Sequence, residues 1–107
     1  MGLLIAIARK VQLTSMRFDY EQKQISLNQA KSDLASKITD YQSQICKFDK
    51  NDTEYQIFDE RIKKLSQIEK KLDEQIARIQ LQLQLIEAEY GNCDRMIQSN
   101  IQSLYGR

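Results

Sequence analysis

The strongest constraint in this 107-residue sequence is an apolar repeat that runs through its C-terminal half. Apolar residues recur there at steps of three or four, over fourteen positions in a row: Phe58, Ile62, Leu65, Ile68, Leu72, Ile76, Ile79, Leu83, Ile86, Tyr90, Cys93, Ile97, Ile101 and Leu104. Such steps place side chains on one face of an α-helix, and their continuation over so many positions is typical of a coiled-coil seam. The repeat predicts one long helix that packs against another along its length.

The N-terminal half carries a second seam at the same spacing. It reads Leu13, Met16, Tyr20, Leu27, Ala30, Leu34, Ile38, Tyr41, Ile45 and Phe48, with Lys23 in one core position. The chain contains no proline and three glycines, whereas a sheet-rich fold needs many turn residues. The predicted fold is therefore all-α: a long antiparallel two-helix hairpin of coiled-coil type, which assembles into a multi-helix bundle or filament.

Residues 49–54 form a polar run between the two seams. Asn and Asp side chains compete for backbone hydrogen bonds and favour turns, and Thr53 with Gln56 has the spacing of a capping box. We therefore predict a single domain over residues 1–107, with helix 1 at about 3–48, a turn at 49–54 and helix 2 at about 55–104. Gly91 lies within the second seam, so we expect the helix to continue through it against a closely packed neighbouring backbone.

Folding the chain back at Asn51 brings apolar residues opposite apolar residues along both helices. The hairpin seam predicted in this way comprises Leu34, Ile38, Tyr41, Ile45, Phe58, Ile62, Leu65, Leu72, Ile76, Ile79, Leu83 and Ile86.

A further group of apolar residues lies off this seam. Helix 2 is apolar on most of its circumference between Ile76 and Tyr90, and one partner helix does not cover such a surface. The predicted assembly interface comprises Leu81, Leu85, Ala77, Ala88, Gly91, Ile97, Ile101, Leu104, Leu4 and Ile7. The partner predicted for it is a further copy of the chain, in a homo-oligomer or homopolymer.

Charge is distributed unevenly, although the formal net charge is only +1. Residues 47–74 hold seven basic and eight acidic side chains, whereas residues 1–16 hold only Arg9 and Lys10. We expect a hydrated turn, buried termini and no nucleic-acid partner. No apolar run approaches the length of a membrane span. Basic residues follow the apolar segment 3–8, the reverse of a secretory signal, so no cleaved signal is expected.

Catalytic chemistry finds little support in the composition. The chain has no histidine, and its two cysteines are too few for a zinc site. We predict no enzymatic activity, no cofactor and no metal. Cys46 and Cys93 would lie far apart in the hairpin, so both are expected to be free, buried thiols, with an intermolecular disulfide left open.

Segment 97–104, Ile-Gln-Ser-Asn-Ile-Gln-Ser-Leu, is low in charge and rich in Gln, Ser and Asn. Together with the N-terminal segment, it resembles the helical terminal domains of flagellins and of type III secretion filament and needle subunits. The resemblance implies a structural filament or tube with buried termini, exported by secretion machinery without a cleaved signal peptide. The chain lacks the proline-containing turn of the needle subunits.

A second resemblance concerns Tyr90 and Asp94, which match the Tyr-x-x-x-Asp/Glu signal of small helical hairpins secreted by type VII systems. The Trp-x-Gly turn of those proteins is absent, since the chain has no tryptophan. This resemblance implies the alternative function: a soluble coiled-coil interaction module, such as a secreted hairpin, an adaptor or a chaperone-like dimer. A cytoplasmic location is the corresponding alternative to an extracellular filament.

Overall fold

The computed structural model describes residues 2–105, and two helices account for nearly all of them. Helix α1 spans Gly2–Ile45 and helix α2 spans Thr53–Tyr105, with no strand among the described residues. The fold is all-α, and the two helices form the antiparallel hairpin that the two seams predict. The chain divides into two compact units. Unit 1 comprises the described residues of Met1–Gln24 and Arg78–Arg107, and unit 2 comprises Ile25–Ala77.

Unit 1 contains all the fully buried side chains of residues 2–105. They are Ala6, Leu13, Ile79, Ile86 and Cys93. Seven residues separate neighbouring members on each helix, which is the repeat of a coiled coil. Leu13, Ile86 and Cys93 pack together, and Met16, Tyr20 and Tyr90 lie against them.

Unit 2 is held by half-buried side chains and an aromatic cluster near the turn. The Phe58 ring lies 5.7 Å from the Tyr41 ring and stacks on the Phe48 ring at 5.8 Å between centroids. The Arg61 guanidinium lies 5.7 Å from the Phe58 centroid and 6.0 Å from that of Tyr41. Both aromatic and cation–π contacts of this geometry stabilise packing beyond the apolar area that they bury.

The first helix ends at Ile45, three residues before the expected Phe48. Its last turn tightens, because Lys47 N donates to the Gln44 carbonyl at 3.1 Å and Phe48 N donates to the Ile45 carbonyl at 3.2 Å. Bonds between residues three apart are typical of helix ends. Leaving the helix at this point allows Phe48 to stack on Phe58.

The start of α2 differs from the expected capping box. Gln56 N donates to the Asp52 carbonyl at 3.3 Å, so Asp52 is the N-cap residue and Thr53 is already helical. The Asp52 carboxylate accepts a hydrogen bond from Asp49 N at 3.1 Å and closes the turn. The physical reason is that Asp caps a helix as well as Thr does, and here Asp also satisfies the loop backbone.

Gly91 lies inside the continuous helix α2, as expected, and has ordinary helical backbone geometry. The closely packed neighbour expected beside it is not supplied by the chain itself. A Cβ atom built on Gly91 meets nothing within 4 Å.

The seams follow a stricter seven-residue repeat than the sequence reading assigned. In α1, Lys23 and Ala30 are exposed, and Gln24 and Lys31 occupy the half-buried positions instead. In α2, Ile68 and Ile101 are 46% and 41% exposed, while Glu69 and Asn100 are half-buried in their place. Glu69 lies seven residues from both Ile62 and Ile76, so the helix keeps its register at the cost of an exposed isoleucine.

Candidate assembly surface

In unit 1, apolar residues of both helices form the core, and basic side chains of α1 join it at the edge. A coiled-coil seam has two core positions in each heptad, and both are usually apolar. In α1, Lys10 and Arg17 lie seven residues apart and occupy the second of these positions. Lys10 Nζ lies 2.6 Å from Asp94 Oδ1, and Arg17 donates to Glu87 Oε1 at 2.9 Å. A step of seven residues forward on α1 thus matches a step of seven backward on α2.

The aliphatic stems and cationic heads of these two residues also cover the Tyr90 ring. Lys10 Nζ lies 5.0 Å and the Arg17 guanidinium 5.1 Å from the ring centroid. Long basic side chains can cover apolar surface with their stems while the charge stays in water. Tyr90 therefore completes the core of unit 1 beneath two cations rather than beneath a second apolar row.

The ion pairs raise the pKa values of their cations. The pKa of Lys10 is raised mainly by its hydrogen bond to Asp94, and the pKa of Arg17 mainly by its hydrogen bond to Glu87. Unit 2 repeats the arrangement with Lys31, whose pKa is raised by the hydrogen bond to Asp73 at 2.5 Å. These pairs are partly exposed, so they set the register of the helices more than they stabilise the fold.

On the outward side of unit 1, α1 presents a row of uncharged residues spaced alternately by four and three: Leu4, Ala8, Val11, Ser15 and Phe18, here termed the α1 stripe. All five are exposed. On α2, the off-seam residues Leu81, Leu85 and Ala88 have the same spacing and are also exposed; they are termed the α2 stripe. The large members of the two stripes are 54–72% exposed. Monomeric proteins rarely leave contiguous apolar surface of this kind uncovered.

The ten residues predicted at the assembly interface fall into two groups. Gly91 and Ile97 are half-buried, whereas the others are exposed: Leu4, Ile7, Ala77, Leu81, Leu85, Ala88, Ile101 and Leu104. Nine of them lie in unit 1, and Ala77 is the last residue of unit 2.

The twelve predicted seam residues show the opposite pattern. Ile79 and Ile86 are buried. The other ten are half-buried: Leu34, Ile38, Tyr41, Ile45, Phe58, Ile62, Leu65, Leu72, Ile76 and Leu83.

Sequence reasoning missed Val11 and Phe18, which are 66% and 60% exposed. The signal was available, because Leu4, Val11 and Phe18 are spaced by seven residues. The two cysteines differ. Cys93 is a buried free thiol as expected, whereas Cys46 is free but exposed, because it lies off the seam, whose half-buried positions here are Ile45 and Phe48.

The described part of the chain shows neither a metal site nor a membrane-spanning stretch. Residues 2–105 bring together no group of three His, Cys, Asp or Glu side chains that could hold a metal ion. Neither helix, within the same residues, has a stretch long and apolar enough to cross a membrane.

Comparison with known proteins adds no family to this geometry. No protein-family model, no curated protein and no solved structure matches the chain.

Proposed function

We propose that the protein is a structural subunit that self-associates through unit 1 into a homopolymer, a filament or a tube. The observation that carries the proposal is the apolar surface that unit 1 leaves uncovered on both of its helices. Large apolar side chains that are exposed together on one face of a helix are typical of an interface.

The size of the exposed surface suits association between copies. Fully burying a Leu, Val or Phe side chain contributes about 1.5–3 kcal/mol. Association costs about 4–15 kcal/mol in lost freedom. One exposed leucine does not offset this cost, whereas five large side chains that are 54–72% exposed contribute about 5–9 kcal/mol when they are buried together, which is within the range of that cost. Leu4, Val11, Phe18, Leu81 and Leu85 provide such a set.

Unit 2 has a different surface. Among the described residues, its exposed large apolar residues are Ile25, Ile57 and Ile68. The positions of α2 that precede the α2 stripe by multiples of seven residues hold charged side chains instead: Glu60, Lys64, Lys71 and Glu74. Charged faces stay in water unless they are paired. The proposal therefore places unit 1 in the contacts between copies and leaves unit 2 in solvent.

Sedimentation velocity and negative-stain microscopy of the purified protein test the proposal. We expect polymers for the wild type, and small helical species for Leu81→Glu and for Leu85→Glu. Ile68→Glu is the matched control, because it changes an exposed isoleucine of the same helix within unit 2. Deleting residues 97–107 should also weaken polymer formation, since it removes Ile101 and Leu104 and takes away Asn100, which lies beside Gly2 at the N-terminal end of α1. A wild type that stays monomeric at high concentration overturns the proposal.

A discrete coiled-coil interaction module is the second candidate. It is favoured by the shortness of the α2 stripe, which Arg78 and Arg95 bound at either end. So short a stripe suits a closed four-helix bundle or one foreign helix. A single small species in sedimentation, unchanged by the deletion of residues 97–107, would support this candidate.

Location is part of the proposal and rests on the resemblance to flagellins and type III filament subunits. It puts the polymer outside the cell, exported by secretion machinery, with a cytoplasmic assembly as the alternative. Fractionation of the source cells with an antibody to the protein distinguishes the two.

A further inference from the structure

The two stripes of unit 1 face away from each other. We propose that the α1 stripe of one copy docks antiparallel on the α2 stripe of the next copy, so that two different faces form every contact. This inference rests on the proposed self-assembly and specifies its interface.

The opposite orientation of the stripes follows from helix geometry. Phe18 lies two residues before Tyr20 and five after Leu13, offsets of about 160° and 140° around a helix of 3.6 residues per turn. Leu81 has the same two offsets from Ile79 and Ile86. Tyr20, Leu13, Ile79 and Ile86 form or line the core between the helices, so each stripe lies on the outer side of its own helix.

The charges that unit 1 leaves available favour contact between unlike faces. Asp19 and Glu21, the acidic residues of segment 2–24, adjoin Phe18 on α1. Glu21 is held only weakly, at 3.9 Å from Arg17. On α2, Glu87, Glu89 and Asp94 are all paired with basic residues of α1.

Arg78 and Arg95 are the cations that remain at the two ends of the α2 stripe. Docking α1 on α2 therefore brings the acids beside the α1 stripe of one copy to an arginine beside the α2 stripe of the next.

The antiparallel direction of the docked helices follows from a difference between Arg78 and Arg95. Arg95 donates to the Asn92 side chain, whereas Arg78 has no hydrogen-bond or ion-pair partner among the described residues. An antiparallel alignment places Phe18 and its two acids at Arg78, where a cation–π contact and an ion pair can form.

The spacing of the stripes fits this alignment. With Phe18 opposite Arg78, the matched steps of three and four bring Ser15 to Leu81, Val11 to Leu85 and Ala8 to Ala88. Ser15 opposite Leu81 and the two alanines opposite each other are small, which allows the helices to approach closely on either side of the contact between Val11 and Leu85.

A closed two-fold dimer cannot satisfy both stripes. Two-fold pairing joins like surface to like surface, so it buries one stripe of each chain and leaves the other bare. Contacts between unlike faces repeat instead, and they generate a ring if the rotation closes or a fibre if it does not.

Two blocked variants test the inference. Val11→Glu blocks the α1 stripe, and Leu85→Glu blocks the α2 stripe. We expect each variant alone to sediment as a helical monomer, because every contact needs both faces. Mixed in equal amounts, they should form a complex of two chains and nothing larger, since only one productive contact remains. Phe18→Glu mixed with Leu81→Glu repeats the test at independent positions, and Ile68→Glu should assemble as the wild type does.

The outcomes separate this inference from the proposed function. If the wild type polymerises and each blocked variant forms a dimer on its own, like faces pair and the inference is wrong, although self-assembly stands. A mixture that stays monomeric also overturns it. If the wild type does not assemble at all, the proposed function fails first.

Exchanging the charges of Arg78 and Asp19 tests the antiparallel alignment of the docked helices. Arg78→Glu should raise the concentration needed for assembly about tenfold, a change of about 1.4 kcal/mol per contact. Adding Asp19→Arg in the same chain should restore it. If Asp19→Arg restored the assembly of an Arg95→Glu variant rather than that of the Arg78→Glu variant, the antiparallel alignment would be wrong.

Discussion

Leu13 is the most completely buried large side chain of the described residues, with 1% of its surface exposed. It contacts Ile86 and Cys93 across the two helices. It is the one fully buried residue that α1 contributes to this cluster, since Met16 and Tyr20 of the same helix are only partly buried beside it.

Leu13→Ala should therefore lower the free energy of unfolding by about 2–5 kcal/mol, the range for truncating a buried leucine. Thermal unfolding followed by circular dichroism measures the loss. Ile25→Ala is the matched control, since Ile25 is an exposed aliphatic residue of the same helix. Equal losses for both variants would show that the core of unit 1 is elsewhere.

The two cysteines report on different parts of the chain. Cys46 is exposed beyond the end of α1, whereas Cys93 is 6% exposed in the core of unit 1. A thiol reagent should modify Cys46 quickly and Cys93 only when unit 1 opens. Mass spectrometry of tryptic peptides after timed labelling measures the two rates. Comparable rates in the native protein would contradict the burial of Cys93.

The basic side chains on the α1 seam could not be recognised as core residues from the sequence. A lysine at a seam position reads as an interruption until its partner is known, and the partner lies more than forty residues away at Asp73 or more than eighty away at Asp94. Similarly, Asp52 and Thr53 are adjacent and both favour N-caps, so composition alone did not choose between them.

At the level of the helices, the ion pairs that Lys10 and Lys31 of α1 form with α2 predict how the stability of the fold changes at high pH. The pKa values of Lys10 and Lys31 are raised above the ordinary 10.5 in the folded chain. Their contribution is therefore fully present below pH 10.5 and is lost as the pH rises through the folded pKa values.

The melting temperature should thus fall above pH 10.5, and less so in a Lys10→Arg, Lys31→Arg double variant, because arginine stays protonated. Other titrating groups are the same in both proteins, so the difference between the two curves isolates the lysines. Superimposable curves would mean that the two pairs do not form in solution.

Gly91 offers a second prediction for α2. A Cβ atom at this position meets open space in the chain, and glycine costs about 1 kcal/mol relative to alanine inside a helix. Gly91→Ala should raise the stability of a non-assembling background such as Leu85→Glu by that amount.

In the wild-type background, the same change also examines the expectation that Gly91 lies at an interface. A methyl group there should weaken assembly if a second copy packs closely against the glycine. Stabilisation of the chain with unchanged assembly would remove Gly91 from the interface.

How much of each helix could be predicted depended on how regular its apolar pattern is. The seam of α2 is nearly all apolar, so its length and its continuity through Gly91 were accessible from periodicity alone, whereas the antiparallel pairing also required the short polar turn at residues 49–54. The α1 stripe is a weaker pattern, because Ala8 and Ser15 stand between its large members, and because its seven-residue spacing alone does not tell an outward row from an inward one.

For the whole molecule, the turn should tolerate insertion. Asn51 and Asp52 are exposed, and lengthening a loop costs little entropy. Inserting Gly-Ser-Gly-Ser between Asn51 and Asp52 keeps the Asp52 N-cap and should leave helix content and polymer formation unchanged. Circular dichroism and negative stain check both. Loss of polymers with intact helices would place the turn in an interface.

The scarcity of fully buried side chains has a consequence for how the protein unfolds. Among residues 2–105 only five are buried, all of them in unit 1. The dependence of unfolding free energy on denaturant concentration scales with the surface that unfolding exposes. A single chain therefore unfolds over a broad range of urea concentration for its length. Each contact between copies adds surface to be exposed, so the transition steepens as subunits join, and its slope measures how much of the assembled protein is buried.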